Sequence, residues 1–394
     1  MKPLPTIGIL CCTWIFWLLI SQYLLCARYQ FPDPEPFEGP VVYNPYDSVS
    51  QQDWVKCNFH AHARAWNGVT NGKGSASDIH SAYDSLKYGV HCVSNYHHID
   101  TTNEEERTYL PVYEHGYNTT KTHQLVLGSS NVQWLDYLLP QTVHNKQHVL
   151  DKLYEWKTVT VLNHPAIRNG YTKNDLAQLG NYDCMEVLSP AATSTQEWDA
   201  ALSAGRKVFV VGNDDTHDVI SGNRLGKMCT FVNNPAKTGS GVLEALRAGR
   251  SYGVAMGETQ PIDSVPYLLY VKVEKDSVFI KVSDTAQKVS IYGQNGRTIK
   301  TARETDRIAF LFRRDDHYAR AEFHFSNGTG IYLNPVFFTP RSGYRAVRPY
   351  VNPGETLLFR FSGILAICFW LGIVWRLSGG NGLQGFGTGR LAIK

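Results

Sequence analysis

The chain has 394 residues, enough for one large domain or two medium ones with a substantial core. Its 38 Lys and Arg nearly balance 35 Asp and Glu, for a net charge of +3, and no run of basic residues occurs, so there is no electrostatic footing for nucleic acid. With 43% hydrophobic and 12% aromatic residues, the composition is that of a folded protein rather than a disordered one.

The first predicted element is apolar throughout. Residues 6–27, TIGILCCTWIFWLLISQYLLCA, carry no charge over more than the roughly 20 residues that cross a bilayer. The run is too long and too rich in Trp for a typical cleaved signal, and no small-x-small cleavage site stands out. Residues 357–377, LLFRFSGILAICFWLGIVWRL, form a second candidate span, with Arg360 and Arg376 near its ends, where long side chains can reach the interface. The competing reading is a cleaved signal plus a buried C-terminal helix. Two spans put residues 30–355 on one side of a membrane. Lys2, Arg390 and Lys394 flank one side, and Arg28, Arg341, Arg345 and Arg348 the other, so charge bias alone does not orient the chain. A short basic start before a first span usually stays cytoplasmic, which places the large domain outside the cytoplasm.

From residue 55 to 256, short apolar runs alternate with amphipathic stretches. The predicted strands are 55–59, 91–95, 124–128, 158–163, 184–189, 207–212 and 229–232. Helix patterns lie over 75–89, 142–156 and 194–205; the last opens on Ser194 with Glu197 three residues on, a capping-box spacing. Strands alternating with helices predict a parallel sheet covered on its faces, either open or closed into a barrel. Cys57, Cys92, Cys184 and Cys229 fall within predicted core strands and read as small buried hydrophobes, while Cys11, Cys12, Cys26 and Cys368 lie in or beside the spans. After residue 264 the pattern changes to period two, with a hairpin turn at Asn327-Gly328, which predicts a small antiparallel β domain over 264–340.

Histidines concentrate in the first of these blocks: 12 of the 14 lie between residues 60 and 217. The stretch WVKCNFHAHARAWNG, residues 54–68, sets His60 and His62 at the end of a strand, where residues two apart share a face and two imidazoles can share a cation. His97 and His98 follow the second strand, Glu114 and His115 precede the third, His123 opens it, His164 follows the next, and Asp215 and His217 follow a later one. In parallel α/β folds, loops at strand ends converge on one mouth, so these ligands would meet in space. Imidazoles with carboxylates suit Zn²⁺, Mn²⁺ or Fe²⁺, and Glu114 could bridge two ions. His80, His91, His144, His148, His317 and His324 read as core-edge or surface residues. Asp214 competes with Asp215, and the D-x-H spacing favours Asp215.

H-x-H at a first strand, N-G shortly downstream, a later Glu, an H-P and a terminal D-x-H together resemble the polymerase and histidinol phosphatase (PHP) superfamily over roughly residues 53–256. The resemblance implies a distorted (β/α)7 barrel, followed here by the antiparallel β domain and flanked by the terminal transmembrane helices. It implies a metal-dependent hydrolase, a phosphoesterase using a metal-activated water, on a small-molecule or envelope-associated substrate. Carried over residue by residue, His60, His62, Glu114 and Asp215 would hold one divalent ion, and Glu114, His123 and His164 a second. A third would use His217, but Asn67 stands where the family has an acid and Tyr96 where it has a histidine, with His97 one residue later. An amide is a poor ligand and a phenol is protonated near neutral pH, which argues against the third ion. Glu114 and Asp215 would carry the catalysis with the ions. Arg64 and Arg168, just past His62 and His164, are expected to hold a phosphate or other anion, or else to be solvated surface charges. The alternative is a catalytically degenerate barrel that serves as a ligand-binding or interaction module, to which Asn67 and Tyr96 lend support.

Overall fold

The computed structural model describes residues 3–155 and 157–377. Lys2, Arg390 and Lys394, invoked above for orientation, lie outside the described residues, as does Trp156 at the end of a predicted helix. The chain divides into two compact units, residues 1–30 with 350–394, and residues 31–349.

In the first unit, helix α1 (Pro3–Leu24) and helix α7 (Pro353–Leu377) have 22 and 25 residues. At a rise of 1.5 Å per residue both exceed the roughly 30 Å of a bilayer's hydrocarbon core. Both are long and apolar enough to cross a membrane, and large side chains such as Trp14, Trp17, Phe361, Phe369 and Trp375 stand exposed along them. Helix α7 begins four residues before the predicted span because Asn352 caps it, accepting from the Glu355 N–H at 3.1 Å, and Pro353 occupies the first turn, where a missing N–H costs nothing. Arg360 donates to the Leu25 carbonyl at 3.0 Å. Strand β1 (Tyr29–Gln30) pairs antiparallel with β19 (Tyr350–Val351).

The second unit is mixed α/β. After β2 (Val41–Tyr43) comes β3 (Trp54–Asn58), then helix α2 (Ala76–Ser85) and β4 (Val90–His91), parallel to β3. Next come β5 (Val112–His115), β6 (Gln124–Leu127), α3 (Val143–Leu153), β7 (Val159–Leu162), α4 (Lys173–Gln178), β8 (Cys184–Ser189), β9 (Ala192–Thr193), α5 (Thr195–Ser203) and β10 (Phe209–Gly212). Of these, β10-β8-β7-β6-β5 form one sheet, with β9 beside β8. Every residue of its five main strands is buried, as expected of strands covered on both faces. The sheet is not wholly parallel: β7, β8 and β10 run parallel, whereas β5 and β6, and β6 and β7, pair antiparallel. The link 116–123 between β5 and β6 is too short for the crossover that a parallel pair requires.

The remaining elements are β11 (Met228–Asn233), α6 (Gly239–Ala248), β12 (Ser251–Ala255), β13 (Leu268–Glu274), β14 (Ser277–Gly293), β15 (Arg297–Leu311), β16 (Tyr318–His324), β17 (Gly330–Leu333) and β18 (Val336–Thr339). They build an eleven-stranded sheet with the path β13-β14-β16-β17-β12-β11-β3-β4, β15 on β14, and β18 carrying β2. The period-two strands after residue 264 therefore continue the sheet that holds β3, through the β12–β17 ladder. Asn334 reinforces this join, accepting from the Val210 N–H at 2.7 Å and donating to the Gly249 and Ser251 carbonyls. The two sheets also meet at isolated parallel bridges, Ala61 with Thr216 and Tyr96 with Glu114.

Local capping follows the sequence in α2, where Ser75 and Asp78 form a reciprocal box. It fails in α5: the Ser194 side chain makes no cap bond there and accepts instead from the Ala166 N–H at 3.3 Å. Cys57, Cys92, Cys184 and Cys229 are buried and free. Burial raises each thiol pKa, so none is a ready thiolate ligand.

Candidate metal centre

The H-x-H segment is locked against the segment that carries Asp215. The Phe59 N–H donates to Asn213 Oδ1 at 2.8 Å, the Asp214 N–H to Asn58 Oδ1 at 2.9 Å, and the His62 N–H to the Thr216 carbonyl at 2.8 Å. Glu114 sits in the fully buried strand β5, and His123 immediately precedes β6. Asn163, just past β7, ties these together: its Oδ1 accepts from the Leu125 N–H, and its Nδ2 donates to Glu114 Oε1 at 3.0 Å. His164 and Asp215 hold φ of 29° and 45°, left-handed conformations that non-glycine residues adopt at a cost and that concentrate at functional sites.

These constraints bring seven of the expected ligands together. His60 Nε2 lies 3.1 Å from His62 Nε2, 3.2 Å from Asp215 Oδ1 and 3.4 Å from Glu114 Oε2. His62 Nε2 is 3.0 Å from Glu114 Oε2. On the other carboxylate oxygen, Glu114 Oε1 is 2.9 Å from His123 Nδ1 and 3.8 Å from His164 Nε2. His217 Nδ1 lies 3.5 Å from Asp215 Oδ1. Three overlapping donor groups result: His60, His62 and Glu114; Glu114, His123 and His164; and His62, Asp215 and His217.

The donors fit a cation. Glu186, on β8, holds His60 Nδ1 at 2.9 Å, with both side chains fully buried. A carboxylate only accepts, so neutral His60 carries its hydrogen on Nδ1, and its Nε2 lone pair points at two carboxylate oxygens and another imidazole nitrogen. Glu114 Oε2 is buried and has no well-aligned hydrogen-bond partner among the described residues. Lone pairs and anions converging in a buried space repel unless positive charge lies among them. The titration directions agree. Burial works against an imidazolium at His60, yet Asp215, Glu186 and Glu114 outweigh it and raise its pKa. Burial would raise the carboxyl pKa of Glu114 and Asp215, but His60 and the other histidines pull both well down. Burial and the neighbouring His62 push His217 down to about 4, leaving a neutral imidazole free to ligate.

The other expected positions fall differently. Tyr96 stacks on His62, with ring centroids 4.7 Å apart, and lies edge-on to His123. His97 points elsewhere: its Nδ1 lies 3.1 Å from the Gln133 carbonyl, and its Nε2 accepts from the Gly116 N–H. Asn67, Arg64 and Arg168 are exposed, and no hydrogen bond or ion pair among the described residues joins them to the cluster. Asp214 is turned away, accepting from the Gly226, Lys227 and Met228 N–H groups and from Tyr83. Three participants lay outside the sequence reading: Glu186, Asn163, and Arg224, whose Nη1 is 3.7 Å from Asp215 Oδ2.

No protein-family model and no curated protein matches the chain. Among solved structures, PsfC from Pseudomonas syringae PB-5123 is similar over 50% of this chain and 90% of its own, at 14% identity and a TM-score of 0.36, a likeness too slight to carry an argument.

Proposed function

We propose that the chain is a membrane-anchored, metal-dependent hydrolase of the PHP type, a phosphoesterase that holds two divalent ions of the Zn, Mn or Fe class. The observation that carries this reading is the convergence of His60 Nε2, His62 Nε2, Glu114 Oε2 and Asp215 Oδ1 on one buried point. The barrel reading draws support from the order of strand contacts. Through the two isolated bridges, β3, β4, β5, β6, β7, β8 and β10 follow one another around a closed circuit. Orientation of the second unit outside the cytoplasm rests on the short basic N-terminus alone.

When bound, the ions would supply Lewis acidity and an acidified water. The chain's own residues have distinct tasks. Glu186 fixes the His60 tautomer so that Nε2 faces the site. Glu114 presents one oxygen to His60 and His62 and the other to His123 and His164, so it can serve both ion positions. Arg224, beside Asp215 and exposed, is placed to meet an anionic substrate group. The test is metal analysis of the purified protein with assays on phosphomonoester, phosphodiester and carboxyl-ester substrates. Fewer than one ion per chain after metal-supplemented purification overturns the reading; bound metal with no turnover of any of the three moves it to a binding module.

A further inference from the structure

A second pair of imidazoles lies outside all three donor groups. His80, on α2, and His91, the last residue of β4, bring their Nδ1 atoms within 2.9 Å of each other. The far nitrogen of each ring is already engaged. His80 Nε2 is 3.2 Å from Asp100 Oδ2, and His91 Nε2 is 2.8 Å from Asp84 Oδ1. Both imidazoles are buried, at 9% and 8% exposure.

Hydrogen accounting makes this contact informative. Each carboxylate can only accept, so each Nε2 carries the hydrogen of its ring. Both Nδ1 atoms are then bare lone pairs, facing each other at hydrogen-bond distance with no hydrogen between them. Two things relieve that repulsion: an extra proton shared by the rings, or a cation bound to both. Burial lowers the His91 pKa despite Asp84 beside it, which works against the extra proton. An imidazole whose far N–H is held by a carboxylate, leaving its other nitrogen free, is also the usual posture of a metal-binding histidine.

The surroundings favour a cation. A cavity of about 30 Å³ adjoins the pair, lined by His80, His91, Asp100, Asn103, Glu106 and Tyr109 among others. That is room for roughly one water. Asp100 and Glu106 are its acids, and among the described residues no Lys or Arg lines it. Two nitrogens on a tetrahedral Zn²⁺ at about 2.0–2.1 Å sit roughly 3.3 Å apart, so the pair needs to open by only a few tenths of an ångström.

The geometry points to a second, independent metal site in which His80 Nδ1 and His91 Nδ1 ligate one divalent ion of the Zn²⁺ class, with cavity water completing its shell. This site stands or falls separately from the hydrolase reading. The full-length chain in detergent, stripped with chelator, is titrated with Zn²⁺ alone beside its His80→Asn and His91→Asn variants. Each variant should saturate with one ion fewer than the wild type while keeping the ions of the His60 cluster; equal stoichiometry overturns the proposal. A measurement on the unaltered chain guards against misfolded variants: Cu²⁺ with ascorbate and peroxide oxidises the histidines that bind the metal, read by peptide mass. Oxidation of His80 or His91 that Zn²⁺ suppresses supports the site. Oxidation confined to other histidines overturns it and leaves the shared proton as the explanation of the contact.

Discussion

His60 Nδ1 and Glu186 Oε2 sit 2.9 Å apart with no solvent at either group, so the hydrogen on His60 has one place to be and the opposite nitrogen is committed to the cluster. Glu186→Gln keeps the shape but replaces a pure acceptor with a group that can also donate. Outer-shell partners of this kind are worth about 10–100-fold in metal affinity or activity. The variant should fold normally, lose metal affinity in that range in a Zn²⁺ titration, and lose turnover with it. Unchanged affinity would reduce Glu186 to a packing residue.

Metal removal should cost stability as well as any activity. The stripped site leaves the buried carboxylates Glu114, Asp215 and Glu186 to draw protons onto histidines whose burial opposes the charge, whereas an ion that binds only the folded chain stabilises it by about 2.7 kcal/mol at a hundredfold excess over Kd. Thermal melts should therefore rise with added Zn²⁺ or Mn²⁺ and fall in chelator. Asp215→Ala should flatten that response; a melt indifferent to metal in the wild type would argue that no ion belongs there.

A buried ion pair secures β16 to α5. Arg320, 2% exposed at the side chain, donates through Nε and Nη2 to the two oxygens of Asp199 at 2.7 Å each. Removing one partner costs about 3–5 kcal/mol where the charge left behind is uncompensated; Glu322 also pairs with Arg320, so the low end, about 3 kcal/mol, is expected. Asp199→Ala should lower the unfolding free energy measured in urea by that amount, and the added change Arg320→Met should recover part of the loss. If Asp199→Ala costs less than about 1 kcal/mol, the pair behaves like a solvent-screened surface bridge.

Glu322 reports on the same network through pH. Burial would raise its carboxyl pKa, but His324 and Arg320 outweigh that and hold it below the usual value. A depressed carboxyl contributes stability above its unfolded pKa of about 4.3 and loses that contribution as pH falls through the folded value. Glu322→Gln should thus flatten the stability curve below about pH 4.3 and leave its shape at neutral pH alone. A parallel acid limb in wild type and variant would place the pH dependence elsewhere.

All seven members of the three donor groups carry marks a sequence can show: His60, His62, His123, His164, Glu114, Asp215 and His217 flank or occupy short apolar runs, where polar ligand types are conspicuous. Glu186 has the same chemistry but sits inside CMEVLS, and a strand buried at every position reads as core whatever its third residue is. A buried acid in such a run, with no basic residue nearby in sequence, was the available signal. Arg224 gave none, because an arginine in a polar loop looks like any solvated charge. His97 is not legible as a residue outside the cluster, because its backbone turns at φ 48°, so Tyr96 reaches His62 while His97 turns to the Gln133 carbonyl. The antiparallel β5–β6 pair stays hidden because VYEH, residues 112–115, is half Glu and His and shows no apolar run of strand length. Period two was plain after residue 264, but alternation describes one strand's faces and not its ladder partners, so the continuity with β12 lay beyond it.

Tyr96 offers the sharpest separation of metal binding from chemistry. Its ring stacks on His62 and packs edge-on to His123, contacts that phenylalanine would keep. Only the hydroxyl is lost in Tyr96→Phe, so the ions and the fold should remain. A positioned proton donor contributes typically 10²–10⁴-fold to a rate, and a phenol lying over one ligand imidazole is well placed to serve a leaving group. Tyr96→Phe should therefore keep wild-type metal content while turnover falls by about 10²-fold. Asn67→Ala, at an exposed position with no bond to the cluster among the described residues, should change turnover by less than a factor of about three, the scale of ordinary surface substitutions. If Tyr96→Phe sheds metal along with activity, the phenol oxygen is itself a ligand; if it changes neither, proton donation comes from another group and Tyr96 serves only to brace His62.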